Sequence, residues 1–230
     1  MQLLLFDIDG TLVHANGTGR DVLKLALLEV FGHAGPIAGY SFAGKVDLQI
    51  VFDLMGATGL DPATIHQNLP ALFEKMVLNG QRLFSAENGV RPCPGVPELL
   101  DQLTLRRDLI LGLLTGNVEG TAPLKLASAG IDPTIFRLGA YGSDAANRDD
   151  LPAVALSRAA ALNIQHTGTI IIGDTPADIQ CAQVAGVTSI AVATGFYSRE
   201  QLAACQPDYL LDDLTDIPAF LSLVCPDASA

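Results

Sequence analysis

Short apolar runs recur along the chain, and most are followed by a segment with helical periodicity. The runs are Leu3–Phe6, DLILGLLTG (108–116), FRLGAYG (136–142), TGTIIIGD (167–174), VTSIAVATG (187–195) and PDYLLDDL (207–214). Two of the intervening helical patterns are LPAVALSRAAALN (151–163) and PADIQCAQVAG (176–186). A strand with no polar face is buried on both sides. Alternation of such strands with helices predicts an α/β fold, a Rossmann-like parallel sheet with helices on both faces.

The first interval breaks this rhythm. The first strand ends near Ile8 and the next begins near Asp108, whereas a crossover needs little more than a dozen residues. The interval is no loop, because GRDVLKLALLEVFG (19–32), DLQIVFDLMGATG (47–59) and PALFEKMVLNGQRLF (70–84) read as amphipathic helices. We therefore expect a small helical domain over 15–90, inserted into a core formed by 1–14 and 91–230. HANGTG (14–19) and the Pro/Gly-rich GVRPCPGVPE (89–98) would be its linkers.

Composition narrows the partners. With 230 residues, 49% of them apolar, the chain can bury one large core or two smaller ones. Its formal net charge of −12 disfavours nucleic acid and anionic membranes. Cys93, Cys181, Cys205 and Cys225 form no C-x-x-C pair and read as reduced thiols. No basic segment precedes the first apolar run, and no uncharged stretch reaches ~18 apolar residues. A cytoplasmic protein is expected.

Ligands of parallel α/β sheets sit at the carboxyl ends of the strands, and four such ends carry chemistry. Asp7 and Asp9 are two residues apart, so in extended backbone they face one side and need a cation or a shared proton. Mg²⁺ is the natural hard, oxygen-seeking partner; the bland alternative is a polar turn at Asp9-Gly10. Thr115, Gly116 and Asn117 follow an apolar run and could cradle a phosphate, or merely cap a helix. Arg148 precedes the helix at 151 and could hold a phosphoryl oxygen, or pair with Asp149 or Asp150. Asp174 ends a strand, and Asp178 either joins it or serves a capping box begun by Thr175. Three or four carboxylates, a hydroxyl and a cation at successive strand ends point to metal-assisted phosphoryl transfer.

Asp7-Ile8-Asp9-Gly10-Thr11-Leu12, Leu113-Leu114-Thr115-Gly116-Asn117 and Gly173-Asp174-Thr175-Pro176-Ala177-Asp178 resemble the motifs of the haloacid dehalogenase superfamily. The tail GVTSIAVATG followed by PDYLLDDL resembles its phosphoglycolate-phosphatase-like branch, and the insert is similar to its helical cap. The resemblance implies that Asp7 is the nucleophile and Asp9 the general acid and base. It implies Mg²⁺ held by the Asp7 carboxylate, the Asp9 carbonyl and Asp174, with Asp178 supporting directly or from behind. Thr115 and the backbone after it would bind the phosphoryl group. The third motif usually supplies Lys; here Arg148 is the candidate, with Lys125 in TAPLKLASAG as rival. An acid at position 9 resembles phosphatases and phosphomutases rather than dehalogenases. Among the insert's cations Arg20, Lys24, Lys45, Lys75 and Arg82, Lys45 looks best placed to meet substrate, the alternative being a solvated lysine.

The implied activity is a Mg²⁺-dependent phosphatase acting on a small-molecule phosphate ester, phosphoglycolate-like or sugar-phosphate-like. The alternatives are a phosphomutase of the β-phosphoglucomutase type and a non-catalytic phosphate-binding module. The chain would be a monomer or homodimer.

Overall fold

The computed structural model describes residues 1–85 and 87–225. In chain order the elements are β1 (Gln2–Phe6), β2 (Val13–His14), α1 (Thr18–Phe31), α2 (Asp47–Gly56), α3 (Pro62–Leu83), β3 (Arg91–Pro92), α4 (Val96–Thr104), β4 (Leu109–Leu114), α5 (Ala122–Ser128), β5 (Leu138–Ala140), α6 (Leu151–Ala161), β6 (Gly168–Gly173), α7 (Pro176–Ala185), β7 (Thr188–Val192), α8 (Arg199–Ala204), β8 (Tyr209–Leu211) and α9 (Ile217–Val224). Short 3-10 turns lie at 37–39, 133–135 and 148–150.

Six strands form one parallel sheet in the order β5-β4-β1-β6-β7-β8. The α/β class expected from the apolar runs is the class observed. Successive residues of β1 face opposite sides, and the two sides have different cores. Leu4 and Phe6 join a core with α4, α5 and α9, whereas Leu3 and Leu5 pack with α6 and α7. The first of these cores runs on into the inserted helices, through Val22, Leu23, Ile50, Leu54, Leu72 and Met76.

Register places the chemistry. Phe6 lies opposite Leu113 on β4 and Ile172 on β6. Asp7 is therefore level with Leu114 and Gly173, and Thr115 and Asp174 each follow one residue later at the same edge. The Asp7 N–H still donates to the Ile172 carbonyl at 2.9 Å, so the ladder holds to the edge of the site.

Two elements differ from expectation. The third inserted helix begins at Pro62, not at 70, because the Asp61 side chain accepts from the Thr64 N–H and caps it. It runs straight through Pro70; Pro70 and His66 are both exposed, so water can meet the carbonyl that the proline leaves without a donor. Where the linkers were expected, β2 and β3 form an antiparallel ribbon, Val13 opposite Pro92 and His14 opposite Arg91. Two-residue strands are too short to show a period in sequence. Among the described residues all four cysteines are free, and no helix is long and apolar enough to cross a membrane.

Candidate active site

At the carboxyl edge of β1, Gly10 adopts φ +87° and turns the chain back toward Val13, whose carbonyl accepts from the Gly10 N–H at 2.9 Å. Ile8 is buried in the core, while Asp7 and Asp9 both line a cavity of about 480 Å³. Within it the two aspartates have different company.

Asp7 is 4% exposed and belongs to a buried group with Asp174 and Asp178, whose carboxylate oxygens lie within 4.8 Å of one another. Asp174 follows β6 and accepts from the Thr11 hydroxyl at 3.1 Å. It is closely boxed: a Cβ on Gly195 would lie 1.6 Å from its Oδ2. Asp178 completes a capping box with Thr175 at the start of α7, accepting from the Thr175 N–H at 3.0 Å and hydroxyl at 2.6 Å. The capping-box reading thus holds, and the other oxygen still faces the cluster through Arg148.

Burial pushes the Asp7 carboxyl up to about 6, against the opposing pull of Arg148. Burial, reinforced by the neighbouring Asp7 and Asp178, raises Asp174 well above the ordinary carboxylate range. Excess negative charge on hard oxygen donors in a buried crevice suits a small divalent cation. Asp7 and Asp174 are the donors best able to hold it, with Asp178 beside them. Asp9 lies outside this trio.

Arg148 is 5% exposed. One guanidinium nitrogen lies 3.2 Å from Asp7 Oδ1 and also bonds Asp178. Its Nε has no partner among the described residues, leaving one strong donor unused.

Asp9 points the other way. Lys125 Nζ donates to both its carboxylate oxygens, at 2.8 and 2.7 Å, and to Asn117 Oδ1 at 2.5 Å. Asn117 Nδ2 donates to Asp9 Oδ2 at 2.7 Å and to the Thr115 hydroxyl at 2.8 Å. The rivalry between Arg148 and Lys125 therefore has no single winner, since each cation serves a different aspartate. Thr115 is fully buried, and its N–H is spent on the Ala140 carbonyl at 3.0 Å.

Lys45 lines the cavity but is not joined to the carboxylate group. Its ammonium donates to the Tyr40 hydroxyl at 2.7 Å and lies 3.4 Å from Asp53. The segment around it supplies a residue the motif reading passed over, Asp47. The Asp47 carboxylate accepts from the Val118 N–H at 2.9 Å, and its own N–H donates to the Gly116 carbonyl at 2.7 Å. The available hints were weak: a polar helix start after Gly44-Lys45, and one lysine inside the apolar APLKLAS.

Parallel strands, a crevice where β1 meets β4 and β6, and buried carboxylates facing an arginine are the architecture of an α/β enzyme. The chain belongs to the haloacid dehalogenase-like hydrolase family, whose model matches residues 4–183, and a second HAD-hydrolase-like model matches residues 151–217. Among curated proteins it is similar to phosphoglycolate phosphatase of Photorhabdus laumondii, 27% identical over 97% of this chain and 93% of that one. It is also similar to pyrophosphatase PpaX of Bacillus pumilus, 24% identical over 95% of each. A crystal structure of a hydrolase from Pseudomonas syringae shares the fold with a TM-score of 0.70, at 21% identity over 97% of this chain and 99% of that one.

Proposed function

We propose that this chain is a Mg²⁺-dependent phosphatase that hydrolyses a small phosphorylated metabolite through a phosphoryl group carried on Asp7. The observation that carries this reading is Arg148. It is a buried guanidinium held by Asp7 and Asp178 that lines a cavity of metabolite size.

Asp7 Oδ attacks phosphorus in line, and the bond from phosphorus to the ester oxygen breaks. Asp9 gives that oxygen its proton, so the alcohol leaves neutral. Asp9, now a carboxylate, takes a proton from water as the water oxygen attacks phosphorus. Phosphate leaves and the Asp7 carboxylate is restored. Arg148 holds an equatorial phosphoryl oxygen, and Thr115 with the backbone of Gly116 and Asn117 orients the group. Mg²⁺, when held by Asp7, Asp174 and Asp178 with the Asp9 carbonyl, offsets phosphoryl charge and lets the Asp7 carboxylate approach an anion.

Residues 15–90 act as the cap that closes over the leaving group. A phosphoglycolate-like or sugar-phosphate-like ester is the substrate class, supported by the similarity to a phosphoglycolate phosphatase. Phosphomutase action is less well supported, because it needs cations free to hold a second phosphate. Arg20 is spent on the Ile37 and Tyr40 carbonyls, at 2.6 and 2.9 Å, and Lys45 on Tyr40 and Asp53.

The test is phosphate release from a panel including 2-phosphoglycolate, glycerol phosphates and hexose phosphates, with Mg²⁺ or with chelator. Release that needs Mg²⁺ and vanishes in Asp7→Asn supports the reading. Release at the same rate in Asp7→Asn overturns it.

A further inference from the structure

Lys125 is a buried cation that hydrolysis as described does not use. Lysine is almost never fully buried unless paired, and Lys125 is 2% exposed. Its ammonium has three N–H donors, and the acceptors are both oxygens of Asp9 and the amide oxygen of Asn117. Nothing is left over to hold a phosphoryl oxygen, so Lys125 does not duplicate Arg148.

Its surroundings come from both parts of the chain. The stem rises from α5. The ammonium lies 5.4 Å from the centre of the Phe84 ring, just past the end of α3. On α1, a Cβ added to Gly19 would sit 3.3 Å from Nζ, close enough to push the ammonium back by a few tenths of an ångström. Asp9 itself is half-exposed and follows β1 on a turning loop. Held only by its backbone, its carboxylate could occupy several rotamers. Asn117, itself tied to the Thr115 hydroxyl, grips one Asp9 oxygen, and Lys125 grips both. A continuous set of bonds thus runs from the phosphate loop through Asn117 and Lys125 to the carboxylate that must meet the leaving oxygen.

We propose that Lys125 is a positioning residue for Asp9, holding the acid–base carboxylate at the leaving-group side of the site against the inserted helices. The inference rests on the phosphatase reading. Positioning matters because proton transfer needs the donor within hydrogen-bond reach of one atom, and small displacements are costly.

The experiment compares kcat/KM for p-nitrophenyl phosphate, whose phenolate leaves without a proton, and glycerol 2-phosphate, whose alkoxide needs one. This parameter covers the steps through transfer to Asp7. In Lys125→Met the ratio of the two values shifts against the alkyl ester by at least ~10-fold, a fraction of what full general acid catalysis supplies. Gly19→Ala guards against a folding defect, since alanine favours the helix while its methyl displaces Nζ. It shifts the ratio in the same direction, by less. Equal losses on both esters in each folded variant, or no loss, overturn the role of Lys125 and leave the phosphatase reading intact. A wild type that hydrolyses neither ester overturns the phosphatase reading and this inference with it.

Discussion

The Asp47 N–H donates to the Gly116 carbonyl at 2.7 Å, joining the first residue of α2 to the loop that follows β4. Its carboxylate takes the Val118 N–H of the same loop, and the next residue, Leu48, donates to the Gly142 carbonyl at 3.1 Å. The approach leaves no room, since a Cβ on Gly116 would meet the Lys45 carbonyl oxygen at 2.2 Å. Helix α2 therefore docks directly on the candidate phosphate loop. Asp47→Ala removes the side-chain half of this clasp and is expected to lower kcat/KM by about 10-fold, the worth of one or two hydrogen bonds. Gly116→Ala is expected to cost more, because two backbones must separate. Steady-state kinetics and thermal melts of both variants check the order.

Arg148 and Lys125 are not exchangeable with each other, nor Arg148 with lysine. Arg148 meets both Asp7 and Asp178 through one guanidinium nitrogen, and its rigid plane keeps further N–H donors at fixed angles that an ammonium lacks. Arg148→Lys is expected to reduce kcat/KM by about 100-fold or more while leaving the fold intact. Arg148→Met leaves buried carboxylates without their cation and is expected to cost about 3–5 kcal/mol in chemical denaturation without Mg²⁺.

Stability without metal follows from the raised carboxyls. Burial pushes both Asp7 and Asp47 from an ordinary 3.8 to about 6. Between those values the folded chain keeps protons that the unfolded chain has released. Stability therefore falls as pH climbs through this window, and the loss is complete above about 6. Mg²⁺ bound as proposed would compete with the proton on Asp7, so its stabilising effect should grow over the same window. Melting temperatures with chelator should fall from pH 4.5 to 7, and the increment from Mg²⁺ should be larger at pH 7.5 than at pH 5.

Asp174→Asn tests the cation assignment separately. Replacing a strongly destabilised buried carboxylate by its neutral isostere should raise the metal-free melting temperature at pH 7.5. The same change should abolish most of the Mg²⁺-dependent increment. Differential scanning calorimetry of the two proteins, with and without Mg²⁺, reads both effects.

How far the sequence carried this picture depended on the range of each interaction. Wholly apolar strands ending in Asp7, Thr115 and Asp174 were legible, because a parallel sheet brings such ends together by register alone. Asp178 at the start of α7 was legible as a capping box because its partner Thr175 is only three positions away. Pairings between distant side chains were not. Lys125 reaches Asp9 across 116 positions of sequence, and nothing in APLKLAS marks it as more than a lysine on a helix that packs on the sheet. Asp47 bonds backbone groups of another loop, which leave no trace in residue identity. Pro70 misled for a different reason: it marks a helix start in isolation, but an exposed face and the Asp61 cap let the helix pass through it.

In the proposed function, phosphoryl transfer passes through Asp7. Rapid acid quench of the Mg²⁺-loaded enzyme with ³²P-labelled substrate, followed by peptide mapping, tests it most directly. Label is expected on the peptide containing Asp7, released by hydroxylamine as an acyl phosphate should be, and absent from Asp7→Asn. Label on another residue, or rapid turnover by Asp7→Asn, would contradict it.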